Sequence, residues 1–291
     1  MRQLLVRSRI EGGDEPGVVN RVTAADAGWD LLSIEVRRLA AGETWAHETG
    51  DCEAALVLLG GVCSVTSNRG EWPRVGGRPD VFRGMPHALY LPRQTSFAVT
   101  ALTSVEVAHG WAPSDKDHPA RLITPRDSAI EIRGGHGATR QINSIIPPGF
   151  GCQRIVAVEV YTPGGNWSSY PPHKHDRHRE DGRGNVLEAD LEEVYYYKIS
   201  RPEGFAIQRV YTDDGAMDEV MVCRDNDIVL VPEGYHPVAA AYGYDCYYLN
   251  FLAGSAQSLA YSDDPAHAWT KQTWTAKDPR LPLVHHGMEP E

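Results

Sequence analysis

Trp167-Ser168-Ser169-Tyr170-Pro171-Pro172-His173-Lys174-His175-Asp176 sets two histidines one residue apart behind a pair of prolines. On a helix these imidazoles would point in nearly opposite directions. On a strand, alternate side chains share a face, so His173 and His175 project together, about 6–7 Å apart. That spacing lets both reach one metal ion through bonds of about 2.0–2.1 Å. The prolines remove two backbone donors, which suits a strand start or a sheet edge. A pair of surface histidines beside a turn is the plainer alternative, and the rest of the chain decides against it.

The 291 residues are too many for one small core and suit two modest domains or one large one. No stretch approaches the roughly 20 apolar residues that span a bilayer. The opening Met1-Arg2-Gln3-Leu4-Leu5-Val6-Arg7 is not a signal peptide, because its apolar run breaks after three residues. We therefore expect a cytoplasmic protein without membrane contact. Five scattered cysteines without a Cys-x-x-Cys pair read as reduced thiols. A formal net charge of −11 argues against nucleic acid as a partner. It leaves room for a small anionic substrate, since one pocket arginine suffices for a carboxylate.

Strand-length apolar runs recur along the chain, among them Leu31–Val36, Ala54–Leu59, Leu89–Pro92, Phe97–Thr100, Ile155–Val160, Val194–Tyr197, Ile228–Val231 and Tyr247–Phe251. Gly60-Gly61 reads as a turn, and no long amphipathic helix is apparent. Polar, proline-bearing residues 113–128 suit a linker, giving expected domains at 1–120 and 121–291. Short strands between Gly/Pro turns point to an all-β sandwich or barrel. An internal repeat supports duplication. Ser33-Ile34-Glu35-Val36 echoes Ala157-Val158-Glu159-Val160, and Leu89-Tyr90-Leu91-Pro92 echoes Val229-Leu230-Val231-Pro232. Glu53 and Glu193, each before an apolar run, lie 39 residues ahead of Pro92 and Pro232 respectively. The second copy carries extra residues, for which the polar stretch Asp176–Asp190 is the candidate insertion, expected to be a loop.

The repeat aligns His47 with His173, Thr49 with His175, Glu53 with Glu193 and Ser96 with His236. In the second half, His173, His175, Glu193 and His236 form a mixed nitrogen and oxygen set suited to one divalent ion such as Zn, Mn, Fe or Ni. The first half has Thr49 and Ser96 where imidazoles would stand, so a degenerate domain without metal is expected there. His178, inside the insertion, reads as solvated.

His173-x-His175…Glu193 with Pro232-x-Gly234-x-His236 resembles the two motifs of the cupin superfamily. One residue separates Gly234 from His236, where cupins usually have two. The string Gly165 to Asp176, together with Glu192-Glu193-Val194-Tyr195-Tyr196-Tyr197 and Tyr247-Tyr248-Leu249-Asn250, is similar to the 5-deoxy-glucuronate isomerase family of myo-inositol catabolism. The resemblance covers most of residues 140–270 and implies a bicupin: two double-stranded β-helix barrels, the second holding the metal. It further implies an aldose–ketose isomerase acting on a small sugar acid. As a soluble enzyme it is expected to form a homo-oligomer. Such a reaction passes a proton between adjacent carbons through an enediol. Alternation from Glu193 turns Tyr195 and Tyr197 inward as pocket candidates, with Tyr196 and Lys198 outside. Arg209 or Arg154 is the candidate partner for the carboxylate, and Asn250 the candidate for orienting substrate. No residue is singled out as the proton carrier. A uronate ketol-isomerase of pectin breakdown, a cupin dioxygenase and a non-enzymatic sugar-binding cupin are the alternatives.

Overall fold

Apolar runs flanked by turn residues become strands in a computed structural model of the protein, which describes residues 3–8 and 15–288. Each expected run falls on a strand, and among the described residues the only α-helix is the single turn Ala24–Ala27. The chain divides into two compact units. One comprises Ser8–Ala129, Ile145–Ile155 and Val284–Glu291; the other comprises Met1–Arg7, Ile130–Ser144 and Val156–Leu283. The expected cut between residues 120 and 121 therefore moves, and both units are assembled from separate stretches. The reason is local. Residues 113–128 are not a bare linker: Arg121–Ile123 pairs antiparallel with His87–Leu91 at the edge of the first unit's sheet. A polar three-residue edge strand leaves no alternation to read.

The first unit stacks two antiparallel sheets. Its larger sheet runs Arg121–Ile123, His87–Leu91, Cys52–Gly60, Val105–Pro113, Ser33–Leu39, Val18–Val22. Its smaller sheet runs Thr44–Glu48, Ser96–Ala101, Val62–Ser67, Gly70–Gly76. Leu56, Leu58 and Leu89 from the larger sheet meet Val65, Phe97 and Val99 from the smaller in one buried core. The expected Gly60-Gly61 turn is built as read: Gly61 has φ +87°, and a Cβ there would lie 2.1 Å from the Ser104 carbonyl oxygen, so only glycine fits.

The second unit repeats this order. Its larger sheet runs Leu5–Val6, Ile228–Val231, Val186–Ile199, Cys246–Gly254, Val156–Thr162, Arg140–Ile146, Ala129–Arg133. Its smaller sheet runs Trp167–Ser168, Val238–Ala240, Ala206–Tyr211, Asp218–Cys223. Strands carrying the echoed sequences occupy matching places, with Cys52–Gly60 and Val186–Ile199 each between two neighbours of equivalent rank. The Asp176–Asp190 insertion is not a loop. Asp176–Glu180 pairs with the start of Val186–Ile199 as a hairpin, closed by Asp181, whose carboxylate accepts from the backbone of Arg183 and Asn185. The first of these strands, Asp176–Glu180, is charged and largely exposed and carries no apolar period, so it was hidden.

Glu53 is fully buried, and its carboxylate accepts from the backbone amides of Gln153 (2.8 Å), Arg154 (2.6 Å) and Ile155 (2.9 Å) and from the Tyr90 hydroxyl (3.0 Å). It clamps the Ile145–Ile155 segment onto the first unit. Thr49 is likewise committed: its Oγ1 donates to the Pro92 carbonyl and accepts from the Thr95 amide, both at 2.9 Å. Ser96 donates to Glu48 on the neighbouring strand. Replacing Glu53 by Ala removes the acceptor of one buried and two part-buried amides and of the Tyr90 hydroxyl, at about 1–3 kcal/mol for each group left unpaired. The variant should lose at least about 3 kcal/mol, read as a lowered thermal midpoint, with turnover below that midpoint retained; an unchanged melting curve would refute the clamp.

Candidate active site and its relatives

The site grows from alternation along three strands of the second unit. Along Val186–Ile199, Leu191, Tyr195, Tyr197 and Ile199 enter the core between the sheets, and Glu193 shares their parity. Tyr196, on the opposite face, is nonetheless buried, its hydroxyl donating to Asn226 at 2.7 Å. His173-Lys174 pairs with Ser262–Asp263. Lys174 turns away from its two histidine neighbours to Asp176 and Asp213, which leaves His173 and His175 on the other face, as read. His236 follows Gly234, whose φ is +84° and whose Cβ, if present, would meet the Tyr211 carbonyl oxygen at 2.4 Å. Glycine therefore lets this turn approach the strand closely and swing His236 inward despite the one-residue spacing.

Ligand atoms of His175, Glu193 and His236 all lie within 4.8 Å of one another, and all three residues are buried. Glu193 Oε2 is 2.9 Å from His175 Nε2 and 3.3 Å from His236 Nε2. His173 is not part of that tight group. Its ring lies 4.9 Å from that of His236 and 4.5 Å from that of Tyr261, on the wall of the same cavity. Each imidazole presents Nδ1 to a backbone carbonyl: His175 to Leu191 (3.2 Å), His236 to Gly234 (2.8 Å), His173 to Pro171 (3.5 Å). A carbonyl only accepts, so Nδ1 carries the proton and Nε2 is left as the free lone pair, the usual arrangement of a metal-binding histidine.

The donor set fits a cation. His236 Nε2 is buried without a hydrogen-bond partner and faces the Glu193 carboxylate. Burial pushes the His236 imidazolium down to about 4 and holds that of His173 well below its ordinary range, with His236 and Arg140 adding to the latter. Burial also lowers His175, but the hydrogen bond and charge of Glu193 outweigh it and raise the group. His175 and a neutral His236 with an unpartnered Nε2 are both aimed at one buried carboxylate in a place shielded from water, a set that a positive ion between them would match.

The group opens on a cavity of about 130 Å³. Tyr195 and Asn250 line it, and Asn250 donates to the Val194 carbonyl at 3.2 Å. The other candidates lie elsewhere. Tyr197 is sealed in the core with its hydroxyl on Gln208 (2.8 Å). Arg209 sits on the far face of the smaller sheet, bound at both nitrogens to Asp218 (2.7 and 2.8 Å) and stacked on Tyr211. Arg154 belongs to the first unit, where its Nε donates to the Pro113 carbonyl. His178 bonds Ser255 and Glu180 outside the cavity. Sequence reading missed Arg140, Arg133, Ser169, Tyr248 and Tyr261, which complete the wall. Ser169 Oγ lies 3.3 Å from both the Tyr195 and Tyr248 hydroxyls, and Tyr248 reaches Ser168 at 2.9 Å.

Paired sheets of this order, one unit carrying a buried His/Glu group, define a bicupin. The chain belongs to the KduI/IolB family, whose model matches residues 4–270. It is 44% identical to a 5-deoxy-glucuronate isomerase of Geobacillus kaustophilus over 94% of this chain and 97% of that one. The corresponding Bacillus subtilis enzyme is 37% identical over 87% and 92% of the two chains. The crystal structure of an IolB-like protein from Salmonella typhimurium superposes with a TM-score of 0.86 at 38% identity, covering 92% of this chain and 99% of that one. Oxalate decarboxylase of Lactobacillus farciminis shares the fold alone, with a TM-score of 0.65 at 11% identity over 90% and 89%.

Arg209→Ala should change kcat/KM by less than about twofold and stability by less than about 1 kcal/mol, because an exposed ion pair contributes little. Steady-state kinetics of the variant checks this; a tenfold loss would return Arg209 to the site.

Proposed function

We propose that the protein converts 5-deoxy-glucuronate to 5-dehydro-2-deoxy-gluconate with the help of one divalent ion held by His173, His175, Glu193 and His236. The observation that carries this is the buried His175–Glu193–His236 group at the head of a cavity with a polar wall. Relatives over nearly the whole length are named for that isomerisation, which favours it over the uronate ketol-isomerase reading. An ion bound there supplies Lewis-acid polarisation of the aldehyde and its neighbouring hydroxyl. The ion is one of Zn, Mn, Fe or Ni.

The chain's own residues do the rest. His173, on the cavity wall beside the tight group, would supply the fourth ligand. Tyr195 is held well above its ordinary pKa by burial and by the Glu193 charge, and Tyr248 is raised chiefly by burial. Both therefore stay protonated and do not act as bases; the Tyr195 hydroxyl donates to an enediolate oxygen, while that of Tyr248 is spent on Ser168. Asn250, pinned through its amide nitrogen, leaves Oδ1 to accept from a sugar hydroxyl. Glu53, Thr49 and Ser96 are engaged in the first unit's own framework, which supports assigning that unit no metal. A cytoplasmic homo-oligomer completes the proposal.

Under anaerobic conditions the protein should isomerise the aldose without oxygen, which a dioxygenase would need and a sugar-binding protein would not achieve. His175→Ala should lower turnover by about 10³-fold or more and empty the metal site, while the melting curve of the sandwich persists. Thr49→Ala should keep wild-type turnover and lose only about 1–2 kcal/mol of stability through its two buried hydrogen bonds. Wild-type turnover and metal content in the His175 variant, or lost turnover in the Thr49 variant, would overturn the assignment.

A further inference from the structure

Arg140 opens the strand Arg140–Ile146 and is only 4% exposed. Its one side-chain hydrogen bond runs from Nη1 to the Tyr170 carbonyl at 3.3 Å. Among the described residues no carboxylate lies within ion-pair distance of it. The nearby Glu131 senses its charge, but both Glu131 oxygens are taken by Arg133 at 2.8 and 2.7 Å. Arg209 and Arg280 of the same unit pair with Asp218 and Asp278 at positions open to solvent, where pairing is cheap. A buried guanidinium with most of its donors unspent is costly for a fold to keep, and it is satisfied by an anion brought in from outside. Arg140 also lines the cavity that His173, His175 and Glu193 open onto.

We propose that Arg140 receives the substrate carboxylate through a bidentate pair and thereby fixes which end of the sugar acid reaches the His/Glu group. The assignment rests on the isomerase reading above. The guanidinium fork matches a carboxylate in plane, whereas a lysine would offer a point charge. With the carboxylate at Arg140, the aldehyde end of the open chain is left for the His175–Glu193–His236 group, with the Tyr195 and Tyr248 hydroxyls beside it. Neutral aldoses lack the anchoring group and leave the arginine buried and unpaired, so the same residue excludes them.

The test compares 5-deoxy-glucuronate with its methyl ester in the metal-loaded wild type, R140Q and R140K. The wild type should favour the acid in kcat/KM by about 10²–10³-fold, mostly through KM. In R140Q that preference should collapse to about threefold or less, with metal content and melting midpoint kept; R140K should fall between. Calorimetric binding of glucuronate, which needs no turnover, should be lost in R140Q. An acid-to-ester preference unchanged in R140Q, or near unity in the wild type, would overturn the role of Arg140. Should R140Q fail to fold, R140K and the wild-type ester comparison still decide. A wild type that binds glucuronate through Arg140 yet isomerises nothing would overturn the isomerase reading and leave this one standing.

Discussion

One buried carboxylate facing two imidazole nitrogens, 2.9 and 3.3 Å away, is the constraint on which the second unit depends. A carboxylate taken from water is tolerated only if its charge is matched. Glu193 is matched by nitrogen ligands whose other ring atoms are tied to backbone carbonyls, so the matching works only when three strands and one glycine turn hold their positions together. Strand alternation aims Glu193 and Tyr195 to the same side, Lys174 pairs with Asp176 and Asp213 away from the two histidines, and the missing side chain at Gly234 lets its turn pack against the Tyr211 carbonyl and bring His236 in. Rigid sheets thus fix the geometry of the ligand set to the tolerance that metal chemistry needs.

The same alternation explains what could be read in advance. His175, Glu193 and Tyr195 were legible because each sits at a fixed parity from a recognisable landmark, and His236 because the repeat set it opposite Ser96 behind Pro232-x-Gly234. Arg209 was also within reach of that logic: Gln208 and Val210 are buried on the inner face, which turns Arg209 outward. Arg140 was hidden for a different reason. Residues 140, 142 and 144 all line the cavity, while Gln141 and Asn143 bond each other on the opposite face. Both faces of that strand carry polar groups, so nothing in the local pattern says which parity looks into the site. The unit boundary was illegible on similar grounds, since a short polar edge strand and a wet hairpin leave no period.

Duplication left two glutamates at equivalent spacing with opposite occupations. Glu53 is neutralised by three backbone amides and a tyrosine hydroxyl, whereas Glu193 faces imidazoles. Either solution permits a buried carboxylate, but they differ in what they leave free. Amide dipoles are permanent and local, so Glu53 is satisfied by its own fold and has no lone pair to offer. His236 presents Glu193 with a lone pair and not a donor, so this is a group that a cation would complete. The division of labour between the two units follows from which donors surround the same residue type.

Electrostatics on the cavity wall then select the chemistry. A cation at the head would stabilise the oxygens of an enediolate, and the Tyr195 hydroxyl, with its raised pKa, adds a donor there without competing for the proton being moved. Arg140 adds positive charge at a separate point of the wall, suited to a group that is already ionised before reaction. Val158, Val160 and Leu252 add buried apolar surface to the wall, and the low polarisability beside them strengthens each of these charges. Charges placed this way favour an open-chain acid with an aldehyde at one end over a neutral sugar or a diacid, and they leave the enediolate as the species the site holds best.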